Sequence, residues 1–310
     1  MEMRSPPQLV WRFEARDCPI CGASRATASR VGRRGGAAHR LGLGRETGIV
    51  RCRSCHGVYA LPTPLPQGNP YLEHQAEDYF KGHDSRGKVT AGENLAGQAE
   101  RILGAKGRLL EIGCGRGELL RGAANAGWDV RGIEMTETFA HIAETQFGVT
   151  VETSPVETAH ALQEQWDVIL LAGVLEHVYD PMSLLARVHA GLRPGGIVFI
   201  DIPNECSFYS RMGNLYFRLT RRDWAVNLSP TFPPFHVVGF CPASLKWALA
   251  KTGLSPVRFE LYKMNSCLTQ SGNGLRARLE GVGLRASLAL GHVLGMSAGI
   301  TCWARRSLVR

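Results

Sequence analysis

The chain has 310 residues, a formal charge of +9 and 44% hydrophobic residues, enough for one large domain or a domain with a small module. The N-terminus lacks an apolar stretch of signal-peptide length, and no run approaches the roughly 20 apolar residues that span a bilayer, so a soluble cytoplasmic protein is expected. Residues 1–60 hold 11 Arg against 4 acids and residues 271–310 hold 6 Arg against 1 acid, so the basic excess sits at the two ends, as a solvated surface or as attraction to an anionic partner.

In chain order, residues 1–60 are rich in Arg, Gly and Cys and carry two C-x2-C knuckles, Cys18/Cys21 and Cys52/Cys55. Nine cysteines without a signal peptide argue against a disulfide framework. Thiolates at knuckle spacing can converge from two turns onto one tetrahedral Zn²⁺, and four sulfurs fill its coordination, so a closed, structural zinc site is expected in a module over 1–60. Cys114, Cys206, Cys241, Cys267 and Cys302 read as scattered reduced thiols. Residues 61–70, LPTPLPQGNP, read as a Pro-rich linker without regular structure. The stretch 71–100 reads as a helical approach to a main domain over 101–310.

From 101 onward strand and helix patterns alternate. RLLEI is a short buried strand, GELLRGAANAGW a helix ending at Gly127, and DVRGIEM the next strand. TETFAHIAETQFG reads as a helix with Thr136 as N-cap, followed by the strand VTVET. WDVILLAGVL is apolar enough to be buried on both faces. A helix over PMSLLARVHAGLRPGG and the strand IVFIDIP come next, then an irregular insertion over 203–241. A helix (PASLKWALAKTG), a strand (VRFELY), a variable stretch and a last strand near ITCWAR close the chain. The alternation implies an α/β fold, a parallel, doubly wound, Rossmann-like sheet with a small zinc ribbon in front.

The segment EIGCGRG lies between the first main-domain strand and its helix, where open α/β sheets bind ligands. Its glycines, Gly113, Gly115 and Gly117, follow G-x-G-x-G, whereas the dinucleotide fingerprint is G-x-G-x-x-G; no Gly-Lys-Ser/Thr follows, which removes the P-loop. Glu134, ending the second strand, can accept hydrogen bonds from both hydroxyls of a ribose. A ribose acid and a close-approach loop without phosphate machinery suggest an adenosine that carries something other than pyrophosphate.

The ordered segments LLEIGCGRGELL, GIEM, WDVILLAGVLEHVYDP and LRPGGIVFIDIPN resemble the class I S-adenosylmethionine-dependent methyltransferases over roughly residues 100–305. They are most similar to the branch with the ubiquinone-biosynthesis O-methyltransferases, through the Leu-Glu-His-Val segment and a later His-containing loop. The resemblance implies that Glu111, Gly113, Cys114 (through its backbone) and Gly115 line the methionine part of the cofactor. It implies that Met135 touches the adenine, with Pro155 and Val156 on its other side, although SPVE lacks the Asp common in that loop. Ala172 and Gly173 are expected beside the methionine portion, small residues that leave room for an acceptor. Because the sulfonium is already activated, the protein mainly aligns the acceptor and removes a proton. His236, in FPPFHVVGF, is the preferred base, with an ordinary imidazole pKa near 6.5, and His177 is the alternative.

The expected acceptor is a small or carrier-linked molecule with a hydroxyl oxygen, as in sugar, glycan or natural-product methylation. Two rivals stand beside it: an RNA methyltransferase that grips nucleic acid with the Arg-rich module, and a cofactor-binding scaffold whose module recruits a protein. The absence of any aromatic residue from 14 to 58 counts against RNA, since RNA readers stack bases on exposed rings. The insertion 203–241, with Phe208, Tyr209, Tyr216, Phe217 and Trp224, reads as the substrate lid.

Overall fold

The computed structural model describes residues 10–68, 85–264 and 275–307. Cys267 and residues 71–84 of the helical approach expected over 71–100 lie outside the described residues, and the rest of that stretch is helical.

The main sheet uses β6 (Arg108–Ile112), β7 (Asp129–Glu134), β8 (Thr150–Thr153), β9 (Trp166–Ala172), β10 (Leu192–Pro203), β12 (Leu254–Tyr262) and β13 (Gly299–Arg306), in the order β12-β13-β10-β9-β6-β7-β8. The helices α1 (Ser85–Leu103), α2 (Glu118–Asn125) and α3 (Glu137–Phe147) cover one face. The other face is covered by α4 (Pro181–Gly191) and α6 (Pro242–Lys251). Strand alternation divides the core: Val168 and Leu170 of β9 pack with Leu120, Ala140 and Ala143. Ile169 and Leu171 face the opposite way, towards Leu184, Leu185, Leu245 and Leu249. Both faces are apolar because both are covered, which is why WDVILLA reads as a continuous run.

The sheet is mixed, not all parallel as the alternation predicts: β13 runs antiparallel to both β10 and β12. The register gives the reason. Gly299 sits opposite both Tyr262 and Pro203, so the chain re-enters the sheet at the edge where β12 ends and must run backwards. Thr136 is the N-cap residue of α3 as expected, but its side chain makes no capping bond; its N–H instead donates to Glu134 Oε1 at 2.9 Å.

The N-terminal module contains β1 (Val10–Glu14), β2 (Ser29–Arg34), β3 (Thr47–Arg51), β4 (Val58–Ala60) and β5 (Thr63–Gln67). The Pro-rich stretch is therefore not free of regular structure, because β5 pairs antiparallel with β1. Pro64 and Pro66 alternate along β5, so their missing N–H groups fall on one edge, where a two-stranded ribbon needs no donors. The insertion is also more ordered than its composition predicts. It contains α5 (Phe208–Leu219), and its two-residue strand β11 (Val238–Gly239) joins the module's sheet in the order β11-β4-β3-β2. Ile49, Val58 and Ala60 of the module and Ala225 and Leu228 of the insertion make one small buried cluster. The remaining helix, α7 (Leu275–Val293), precedes β13. Among the described residues, no helix is long and apolar enough to cross a membrane.

Candidate active site and cysteine centre

At the C-terminal ends of β6, β7 and β9, the three glycines of EIGCGRG all take positive φ (66°, 55° and 81°), which L-residues with side chains rarely adopt. Gly113 and Cys114 donate their N–H groups to Ile133 O at 2.8 and 3.1 Å, tying the loop to β7. The Cys114 thiol is buried against Gly132, so only backbone from this residue faces the loop's open side. Gly117 differs from its neighbours: a Cβ there would lie 2.8 Å from Val149 Cγ2 and 2.9 Å from Ala143 Cβ, so its glycine serves helix packing.

Glu134 is buried, and both carboxylate oxygens accept backbone hydrogen bonds at 2.9 Å, Oε2 from Gly115 N–H and Oε1 from Thr136 N–H. Each oxygen keeps a second lone pair for a ribose hydroxyl. Glu111 is buried too, and burial pushes its pKa well above the ordinary carboxylate range, with Lys88 opposing the shift. Its Oε2 has no hydrogen-bond partner among the described residues, an open acceptor beside the glycine loop. Met135, next to Glu134, is exposed. Pro155 and Val156 follow β8, where Val156 O accepts a bond from the Arg187 guanidinium. Ala172 ends β9, and Gly173 (φ 70°) donates to Asp201 O at 2.9 Å. A Cβ at Gly113 would lie 3.0 Å from Val174 Cγ2, and one at Gly173 would lie 3.9 Å from Glu176 Oε1, so both glycines face the turn that follows β9.

Past β9, a 3₁₀ turn over Leu175–His177 presents Glu176 and His177 to His236 of the insertion. The two imidazoles meet edge to face, 4.8 Å between centroids, and His236 Nε2 lies 3.9 Å from Glu176 Oε1. Glu176 Oε2 is buried without a partner among the described residues. Burial governs all three groups: it lowers His236 to about 3 and His177 to about 4, and raises Glu176 to about 8. The ordinary imidazole pKa near 6.5, expected from sequence, therefore does not hold here. At neutral pH both imidazoles are uncharged, with burial opposing their protonation, and Glu176 is the member that titrates close to neutrality. Sequence reading picks both histidines and misses Glu176. The available signal was its place beside His177, just past a strand buried on both faces.

The two knuckles close on each other. Cys18 Sγ lies 3.6 Å from Cys55 Sγ, Cys21 Sγ lies 3.5 Å from Cys52 Sγ, and all four sulfurs lie within 4.8 Å of one another. A tetrahedral Zn–S₄ centre with bonds near 2.3 Å sets its sulfurs about 3.8 Å apart, so the donor set fits zinc in both chemistry and spacing. Gly57 N–H points at Cys55 Sγ at 3.4 Å, as amides do towards thiolate ligands. The hydrogen bond between Cys18 and Cys55 lowers the Cys18 thiol and raises the Cys55 thiol, so the pair favours a single shared thiolate.

The strand order with one antiparallel strand, the glycine loop and the buried acid that ends β7 define a class I methyltransferase architecture. Comparison with known proteins agrees: residues 84–258 match the methyltransferase-domain family, and the chain belongs to it. A ubiquinone biosynthesis O-methyltransferase from Ruegeria pomeroyi is 31% identical over 191 residues, covering 52% of this chain and 77% of that protein. Another, from Pseudomonas syringae pv. tomato, is 36% identical over 118 residues, covering 36% of this chain; the chain spans only about half (47%) of that relative's length. Among solved structures, a SAM-dependent methyltransferase from Archaeoglobus fulgidus aligns with 76% of this chain and 100% of its own, at TM-score 0.50 and 19% identity, a likeness of fold. The cysteine module over 10–68 lies outside the family match.

Proposed function

We propose that this protein transfers the methyl group of S-adenosylmethionine to a hydroxyl oxygen of a small or carrier-linked acceptor. The observation that carries the reading is the buried Glu176–His177–His236 cluster beside the glycine loop and Glu134. The bound cofactor supplies an electrophilic methyl on a sulfonium. Glu134 holds the ribose, the open Oε2 of Glu111 and the backbone of 113–115 face the methionine portion, and Ala172 and Gly173 leave the approach clear. His236 Nε2 accepts the hydroxyl proton as the oxygen attacks, and Glu176, once ionised, stabilises the resulting imidazolium. His177 packs edge to face against that ring. The four cysteines hold a structural zinc.

The test has two arms. Calorimetry with S-adenosylhomocysteine checks the cofactor site. Incubation with radiolabelled S-adenosylmethionine and a panel of catechols, hydroxybenzoates, methyl glycosides and primary amines checks the acceptor atom. Binding of S-adenosylhomocysteine together with label transfer to hydroxyl compounds supports the reading. Transfer to amines alone removes the oxygen assignment, and failure to bind S-adenosylhomocysteine removes the function.

A further inference from the structure

The geometry points to a positioning role for the cysteine ribbon: its strand β4 holds the insertion segment that carries His236, so the loaded ribbon is a condition for the assembled Glu176–His177–His236 cluster. The separable module implied by the proline-rich stretch is replaced here by a shared sheet. Strand β11 has β4 as its sheet neighbour, with Val238 opposite Tyr59 and Gly239 opposite Val58. One residue before this pairing, Val237 N–H donates to Glu176 O at 2.8 Å. The backbone next to His236 is thus clamped between the ribbon edge and the turn that bears its partners.

The ribbon also holds the approach to this segment. Arg33 N–H donates to Asp223 O and Ala225 N–H donates to Arg33 O, both at 2.9 Å. Arg34 Nε donates to Leu228 O at 3.0 Å, and Thr231 Oγ1 bonds both Arg45 N–H (3.0 Å) and Arg45 O (2.6 Å). Ser229 then holds His236 at both backbone groups, its N–H donating to His236 O at 3.1 Å and its Oγ accepting from His236 N–H at 3.2 Å. Past the strand, Cys241 Sγ donates to Cys55 O at 3.9 Å, which ties the segment to a knuckle cysteine itself. Within the insertion itself, Val226 N–H donates to Asn214 Oδ1, Asn227 Nδ2 donates to Glu205 O, and Glu205 N–H donates to Phe240 O.

Cys55 stands three residues before Val58, so freeing the second knuckle frees the β4 edge. The ribbon's burial is shared with the same segment: Ile20, Val50 and Tyr59 lie in the large core cluster together with Val237, Val238 and Phe240. Of the five buried apolar residues in its small cluster, Ala225 and Leu228 come from the insertion, so ribbon and segment complete one core. A module of this size without its metal loses the main source of its folding free energy. The inference rests on the proposed function only for the chemical role of His236; the placement of the ring is readable without it.

The experiment follows histidine carbon signals by NMR in the full chain with ¹³C-labelled imidazoles, assigned with His236→Ala and His177→Ala. Zinc is removed with a chelator and its loss verified by elemental analysis. In the loaded protein both imidazoles stay neutral from pH 5.5 to 8. After chelation both titrate with midpoints rising towards the ordinary value near 6.5, and added zinc restores silence. The Cys52→Ser chain repeats the comparison without chelator. S-adenosylhomocysteine affinity, measured alongside, stays within twofold. Metal-free protein whose His236 and His177 remain silent overturns the proposal. So does a tenfold or greater loss of S-adenosylhomocysteine affinity on chelation, because the ribbon would then support the whole domain. A chain purified without zinc and with both rings silent overturns it as well. Absence of S-adenosylhomocysteine binding in the loaded protein counts against the proposed function and leaves the imidazole comparison valid.

Discussion

Replacing Glu176 by Gln should make the protein more stable at alkaline pH, by an amount that grows with pH. In the fold the Glu176 carboxyl is buried and raised from 4.5 to about 8. A raised carboxyl means that the folded state binds more protons than the unfolded chain between pH 4.5 and 8, so stability falls as pH rises through that window. At 1.36 kcal/mol per pKa unit the loss from Glu176 is about 2 kcal/mol at pH 6 and approaches about 5 kcal/mol by pH 9. His177 and His236 shift the other way, down from 6.5, and their contribution is lost as pH falls below that value. They are present in both proteins and cancel in the comparison. The amide cannot ionise, and any hydrogen bond it lacks offsets both pH values equally. Urea unfolding followed by tryptophan fluorescence at pH 6 and pH 9 should therefore show the Glu176→Gln advantage over wild type increasing by about 2–3 kcal/mol. Parallel pH–stability curves for the two proteins would refute the reasoning, and with it the claim that this carboxyl is protonated in the folded protein at neutral pH.

Other outcomes follow from the same geometry. Glu134→Ala should weaken S-adenosylhomocysteine binding by about 1.5–3 kcal/mol in calorimetry, the range for a hydrogen bond to a charged group; an unchanged affinity would separate Glu134 from the ribose. His236→Ala should lower turnover roughly 10²–10⁴-fold with S-adenosylhomocysteine affinity nearly unchanged, measured with whichever hydroxyl acceptor the panel identifies. In wild type the rate should rise with pH as Glu176 ionises, near pH 8 rather than 6.5, and Glu176→Gln should remove that limb. Elemental analysis should give one zinc per chain, lost in Cys52→Ser.

Much of the main sheet was legible because its signals are local. RLLEI, DVRGIE and WDVILLA are short apolar runs bounded by glycine or turn residues, and each became the strand expected of it. The knuckles were legible because cysteine spacing survives any surrounding fold. What stayed hidden depends on pairing between distant segments. The direction of β13 follows from where the chain re-enters the sheet, which periodicity does not encode. TPLPQ has strand geometry only because β1 offers it an edge that asks nothing of the two prolines. Val238–Gly239 is too short to be called a strand without β4 beside it. Glu176 was passed over because one acid in a turn is ordinary until a second element buries it.

The shared sheet also sets a schedule for folding during synthesis. The four cysteines emerge early and close together in sequence, so metal capture can begin while most of the chain is still unmade. The edge of β4, however, waits for Val238 and Gly239, about 170 residues beyond the end of β5. At typical elongation rates of 5–20 residues per second, a three-stranded sheet with a bare edge persists for roughly 10–35 seconds. Such an edge can pair with another nascent chain. The N-terminal part of this protein is thus where a chaperone or slow translation would most affect yield, and expression of residues 10–68 alone should give aggregates.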